Sequence, residues 1–153
     1  MGRVLDMLLY GLARLVLGLR YRVRATGLDE VAARGRSGIL FLPNHPALCD
    51  PPLVLMTLWP RFRARPLADA RQADAPLVRT LADRVRAIRL PDMVQDGPGG
   101  AEGTREGMRL AAEALNAGDN VLLYPGGRLM RSRFEDLRGN SAVQRILEQA
   151  PDA

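Results

Sequence analysis

The chain has 153 residues, 47% hydrophobic and 25% charged, which suits a single globular domain and excludes disordered, collagenous and coiled-coil proteins. It contains one cysteine, Cys49, and one histidine, His45, which excludes an internal disulfide framework, a thiolate metal cluster and a multi-histidine metal site. All 22 basic residues are arginine, which excludes a lysine Schiff base and a P-loop, and the net charge of +5 predicts an anionic partner: nucleic acid, a membrane surface or a phosphorylated substrate.

The first segment, residues 1–20, predicts an amphipathic helix. Its apolar residues recur at helical spacing: Leu5, Leu8, Leu9, Leu12, Leu15, Val16 and Leu19. The apolar stretch is shorter than the roughly 20 residues that span a bilayer, and Asp6 and Arg14 interrupt it. We therefore predict a helix lying in the plane of the membrane interface. The alternative is an ordinary amphipathic helix packed on the core.

The second segment, residues 21–153, alternates between extended and helical patterns, which predicts an α/β domain, a sheet flanked by helices. Runs of apolar or alternating residues predict strands at 21–25, 39–42, 64–67, 85–90 and 120–124.

Helices are predicted between these strands. One follows Pro51 and Pro52 and ends at Trp59-Pro60, and a second spans residues 75–84 with Asp74 as its cap. After an irregular stretch at 91–100, the strongest helical pattern spans 102–116, with Gly118 beyond its end. Its predicted inward residues are Met108, Leu110, Ala111, Ala114 and Leu115.

Directly after the strand at 39–42 comes Asn44-His45-Pro46-Ala47-Leu48-Cys49-Asp50. If the intervening residues turn, Asp50 can accept a hydrogen bond from one imidazole nitrogen of His45, and the other nitrogen can take a proton from a hydroxyl. The turn is required because residues five apart diverge by roughly 140° on a continuous helix. The alternative is a surface histidine beside a helix-capping aspartate.

Directly after the strand at 120–124 comes Tyr124-Pro125-Gly126-Gly127-Arg128, with Arg131 and Arg133 beyond. Paired glycines allow backbone N–H groups to face a bound anion, and arginines supply charge and forked hydrogen bonds to phosphate. The alternative is a glycine turn followed by a solvated basic segment.

Together these motifs resemble the glycerolipid acyltransferase family, which includes 1-acylglycerol-3-phosphate acyltransferase and related lysophospholipid acyltransferases. Asn44-His45-Pro46-Ala47-Leu48-Cys49-Asp50 resembles the family's His-(four residues)-Asp motif with its preceding asparagine. Tyr124-Pro125-Gly126-Gly127-Arg128 resembles its Phe-Pro-Glu-Gly-Thr-Arg block. The resemblance covers nearly the whole chain.

The resemblance implies acyl transfer from acyl-CoA or acyl-ACP to the hydroxyl of a lysophospholipid or glycerol phosphate, with no further cofactor. It implies that His45 is the general base and that Asp50 orients it. The implied phosphate contacts are Gly126, Gly127 and Arg128, with Arg131 as a weaker candidate and Arg89 carried over from a loosely matching block. The implied location is the cytoplasmic face of the cell membrane, where residues 1–20 bind anionic lipids.

Two departures from the family pattern define an alternative function. Gly126 stands where the family has glutamate, or Pro125 does under a shifted alignment. The run Glu102-Gly103-Thr104-Arg105 does not replace this block, because it lies at the start of a predicted helix. The family's last block does not occur before residue 153, so the domain at 21–153 is expected to be incomplete at its C-terminus. The alternative is a catalytically impaired or truncated acyltransferase-like protein that binds membranes.

Two other classes fit the sequence less well. A nucleic-acid-binding protein is disfavoured because aromatic residues make up only 5% and the arginines are scattered along the chain. A serine hydrolase would need a Gly-x-Ser-x-Gly elbow, which the sequence lacks.

Overall fold

The computed structural model describes residues 2–45, 47–76, 78–91, 97–127 and 141–153. The described residues form a four-stranded parallel sheet in the order β1-β4-β2-β3. The strands are β1 (Leu40–Phe41), β2 (Arg65–Asp69), β3 (Ile88–Leu90) and β4 (Val121–Leu122). The predicted α/β class is therefore confirmed.

Helices connect and flank these strands. In chain order they are α1 (Gly2–Arg20), α2 (Leu28–Arg34), α3 (Asp50–Phe62), α4 (Ala70–Ala73), α5 (Arg79–Arg84), α6 (Gly97–Asn116) and α7 (Ala142–Gln149). Helix α6 packs on α7 and on β3 and β4, and α1 contacts α3. Within the described residues, no helix combines the length and the apolar character needed to cross a membrane.

The core lies on both faces of the sheet, and β4 contributes to both. Val121 packs with Leu115 of α6 and Ile146 of α7, whereas the next residue, Leu122, packs with Leu58 and Phe62 of α3. Successive side chains of a strand point to opposite faces, so a strand that is apolar at consecutive positions is buried on both sides. The helices therefore form a layer on each side of the sheet.

A buried asparagine fixes the start of β4. Asn120 is 3% exposed, and its Oδ1 accepts a hydrogen bond from the Ile39 N–H at 2.9 Å. Its Nδ2 donates to the carbonyl oxygens of Arg36 at 2.7 Å and Phe62 at 2.6 Å. One side chain thus connects the segment before β1, the end of α3 and β4.

The strand predicted at residues 21–25 is wrong. These residues pair with no strand of the described structure, and the Tyr21 N–H donates to the Leu17 carbonyl at the end of α1. Its alternation is not matched by burial either, since Val23 is 44% exposed. An alternating pattern this short makes a strand only where a neighbouring strand supplies hydrogen bonds.

The predicted end of α3 at Trp59-Pro60 is also wrong, because the helix continues through Pro60 to Phe62. Proline costs a backbone hydrogen bond in a helix interior. Here Leu58 and Phe62 are buried against the sheet, and the Arg63 N–H closes the last turn on the Trp59 carbonyl at 3.1 Å. Tertiary packing of the last turn therefore offsets the loss.

Asp74 does not cap a helix at 75–84. It ends the short helix α4, whose own cap is Asp69, and the next helix, α5, begins at Arg79. The Asp74 carboxylate instead accepts a hydrogen bond from the Arg89 guanidinium. The sequence pattern did not distinguish a local cap from this longer-range ion pair.

The irregular stretch predicted at 91–100 is wrong in its last four residues, because α6 begins at Gly97. Residues 92–96 lie outside the described residues. Glycines in this helix permit close packing: a Cβ at Gly103 would lie 2.5 Å from Cγ of Pro91. Of the predicted inward residues of α6, Leu110 is 39% exposed and does not belong to the core.

Candidate active site

The two motifs identified in the sequence meet at one edge of the sheet. Strands β1 and β4 are parallel neighbours, with Phe41 opposite Leu122. Their carboxyl ends therefore lie side by side, and each leads directly into one of the two turns. In open α/β sheets this edge is where ligands bind.

His45 and Asp50 lie together in the first turn. The distance from His45 Nδ1 to Asp50 Oδ2 is 3.3 Å, and each side chain is 17% exposed. Asp50 is the first residue of α3, and the same Oδ2 accepts the Ala47 N–H at 2.6 Å. Residues 47–49 precede the helix and turn outside it, so the five-residue separation does not impose helical divergence. Pro46 lies outside the described residues.

This geometry has the parts of a general base. Asp50 holds the Nδ1 side of the imidazole, which leaves Nε2 as the nitrogen that can accept a proton from a hydroxyl. Asp50 is not the N-cap of α3, since that position is Cys49. Its carboxylate faces back into the turn, toward Ala47 and His45.

The sequence pattern assigned no role to Tyr124, which the structure places against His45. The centroids of the two rings are 4.4 Å apart and their planes are inclined by 31°. The Tyr124 hydroxyl oxygen is buried and has no hydrogen-bond partner among the described residues. The available signal was its position: an aromatic residue that follows the strand β4, at the edge where His45 follows β1.

The glycine turn begins at Tyr124. The Gly127 N–H donates to the Tyr124 carbonyl at 3.0 Å, and Gly127 has a φ of 63°, a left-handed conformation that glycine adopts without strain. The Gly127 N–H is therefore engaged within the turn. Arg128 and Arg131, the predicted phosphate contacts, lie outside the described residues, as does Arg133.

The structure does not bring Arg89 to this turn. Arg89 lies on β3, and β2 separates β3 from β4, which corresponds to about 10 Å between the strand axes. Its guanidinium pairs with Asp83 and, at 2.9 Å, with Asp74. The hydrogen bond with Asp83 and, to a lesser extent, the one with Asp74 raise the pKa of Arg89. Its role here is to connect β3 to α5 and to the end of α4.

Two exposed apolar side chains lie in or just before the His45 turn. Leu48, between His45 and Asp50, is 79% exposed, and Leu42, just before the turn, is 43% exposed. Cys49 is partly buried, and the interaction of its side chain with Tyr21 raises the pKa of Tyr21. The residue that follows α1 therefore lies beside the turn that carries His45.

The comparisons with known proteins agree with the motifs. The family model described as Acyltransferase matches residues 22–151 of the 153. Searches of curated proteins and of solved structures gave no significant match. The matched region contains the sheet, both turns and helices α2 to α7, and begins just after α1. The chain therefore belongs to the glycerolipid acyltransferase family.

Proposed function

We propose that this acyltransferase moves a fatty acyl group from acyl-CoA or acyl-ACP to the hydroxyl of a lysophospholipid or glycerol phosphate, with His45 as general base. The observation that carries the proposal is the meeting of the two turns, in which the imidazole of His45 contacts the residue that opens the glycine turn. A hydroxyl near His45 and a phosphate at the glycine turn can thus belong to one small acceptor.

In the proposed reaction, Nε2 of His45 removes the proton from the acceptor hydroxyl as its oxygen attacks the thioester carbonyl. The C–O bond forms, the tetrahedral intermediate collapses, and the C–S bond breaks. The imidazolium then returns the proton to the departing thiolate. The negative charge of Asp50, 3.3 Å from Nδ1, favours the imidazolium that forms in between.

The acceptor's phosphate would bind at Gly126, Gly127 and Arg128, with Arg131 as a secondary contact. The Gly127 N–H is used within the turn, so we propose that Gly127 shapes the turn and that Arg128 supplies the positive charge that binds the phosphate. Arg89 is left out of this site, since two carboxylates already pair with it.

We further propose that α1 holds the protein at the cytoplasmic face of the cell membrane, on anionic lipids. Five of its apolar side chains are more than half exposed: Leu8, Leu12, Leu15, Val16 and Leu19. An apolar helix face with flanking arginines is typical of in-plane membrane helices.

The test of the base is His45→Ala, assayed by release of thiol from acyl-CoA in the presence of 1-acylglycerol-3-phosphate. We expect kcat to fall by about 10²- to 10⁴-fold, the usual contribution of a general base. Gln144→Ala, a substitution of an exposed residue on α7, is the matched control and is expected to retain activity. Equal activity of His45→Ala and the parent protein would remove His45 from the reaction.

A further inference from the structure

The contact between His45 and Tyr124 is close and well oriented. A centroid separation of 4.4 Å with planes inclined by 31° is a close, tilted ring contact. Close contacts between aromatic rings in offset or tilted arrangements are favourable beyond the area that they bury. The two rings come from turns that follow adjacent strands, so the backbone of the sheet fixes their separation.

Asp50 alone constrains the imidazole weakly. The 3.3 Å from Nδ1 to Oδ2 exceeds the roughly 2.7–2.9 Å of a strong charge-assisted hydrogen bond. The same oxygen also accepts the Ala47 N–H at 2.6 Å. Rotation of a histidine ring about its terminal torsion is broad, and one long hydrogen bond leaves much of that freedom. Orientation of His45 therefore requires a second contact.

We propose that Tyr124 is a positioning residue whose ring confines the plane of the His45 imidazole, so that Nδ1 stays toward Asp50 and Nε2 remains for the substrate hydroxyl. This inference rests on the proposed role of His45 as general base. Tyr124 itself takes no part in proton transfer and forms no bond to substrate in this assignment.

The ring, and not the hydroxyl, carries this role. The hydroxyl oxygen is buried and unpartnered among the described residues, so it does not hold His45 by a hydrogen bond. Burial, together with the negative charge of Asp50, raises the pKa of Tyr124, and the phenol stays neutral beside that carboxylate. Removal of the hydroxyl should therefore be tolerated, whereas removal of the ring should not.

The imidazole of His45 can be observed directly. It is the only histidine of the chain, so its ¹⁵N signals report one site without assignment ambiguity. In the parent protein and in Tyr124→Phe, we expect neutral His45 to carry its proton on Nδ1, facing Asp50. In Tyr124→Leu, which removes the ring, we expect the tautomers to mix.

The kinetics should likewise depend on the ring of Tyr124 and not on its hydroxyl. We expect Tyr124→Leu to lower kcat by about 10- to 100-fold with little change in KM, as for a misplaced catalytic group. Tyr124→Phe should stay within about three-fold of the parent, well under the loss expected for a misplaced group. If Tyr124→Leu does not fold, Tyr124→Met, with a flexible apolar side chain, replaces it.

Two results would overturn the inference. One is an unchanged His45 tautomer and kcat in the ring-deleted variant, and the other is a loss of kcat in Tyr124→Phe equal to that of Tyr124→Leu. A failure of the proposed function looks different. In that case His45→Ala remains active while the tautomer still responds to loss of the Tyr124 ring.

Discussion

The carboxylate of Asp50 holds together the turn that carries His45. Its Oδ2 accepts the Ala47 N–H and lies 3.3 Å from His45 Nδ1, so the residue that begins α3 also closes the turn before it. Aspartate is short enough to reach backward from the first turn of a helix. Helix α3 thus holds the backbone of Asp50 in place while its carboxylate reaches His45.

Arg128 is the arginine from which we expect a phosphate contact. Arg128→Ala should raise KM for 1-acylglycerol-3-phosphate by about 10- to 100-fold, the loss of one or two charged hydrogen bonds, and leave KM for acyl-CoA little changed. Steady-state kinetics with each substrate varied in turn provide the measurement. Arg131→Ala should have a smaller effect.

Arg89→Ala is the matched control for this experiment. Arg89 lies on β3, away from the glycine turn, and pairs with Asp74 and Asp83, so both KM values should stay at the parent level. A larger effect on acyl-CoA than on the phosphorylated acceptor would contradict the role of Arg128.

Strand β4 is the element on which the site depends most. It is the neighbour of both β1 and β2, its two residues are buried on opposite faces, and Tyr124 follows it. Asn120 sets its position by three hydrogen bonds to the segments around it. A shift of β4 would move Tyr124 and the glycine turn relative to His45.

Asn120→Asp should therefore destabilise the fold. A carboxylate accepts the Ile39 N–H but cannot donate to the carbonyls of Arg36 and Phe62, and it is a buried charge facing two oxygens. We expect the free energy of unfolding to fall by about 3 kcal/mol, measured by denaturant titration. The same change at Asn116, which is exposed, should cost much less. Equal losses at the two positions would contradict a clamp at Asn120.

At the scale of the whole molecule, helix α1 and the turn that carries His45 lie next to each other. Tyr21, the residue after α1, lies beside Cys49 in the His45 turn, and α1 also contacts α3. The exposed Leu48 lies in the same turn. If α1 binds a bilayer as proposed, the His45 turn would therefore lie close to the bilayer surface.

The double variant Leu12→Glu/Leu15→Glu tests this arrangement. Both side chains are more than half exposed, and each leucine contributes about 1.5–3 kcal/mol when fully buried. We expect co-sedimentation with anionic phospholipid vesicles to fall by about 10-fold or more, since 1.4 kcal/mol is one factor of ten.

A control with the same change of charge is Ala33→Glu/Gln144→Glu, at exposed positions of α2 and α7. It should lower binding only slightly, through the weaker attraction of the protein to anionic lipids. Equal binding of the leucine variant and the parent would show that α1 is not the anchor.

Local patterns in the chain were sufficient to predict the α/β class, the strands that became β1 to β4, and the pair His45 and Asp50. These features depend on apolar runs and on residues close in sequence, and such interactions act over one or two turns of chain. Their catalytic roles stay predictions. The pattern failed at residues 21–25 and at Pro60, where pairing or packing with distant residues decides the outcome.

Only the folded molecule decided which distant residues meet. The order β1-β4-β2-β3 brings Tyr124 to His45 and keeps Arg89 of β3 away from the glycine turn, and it gives Asn120 partners more than 50 residues away. Strand order is set by how helices on both faces bury the sheet as a whole, a property that no short segment carries. The contact on which Tyr124's proposed role rests was therefore absent from the sequence pattern and present in the fold.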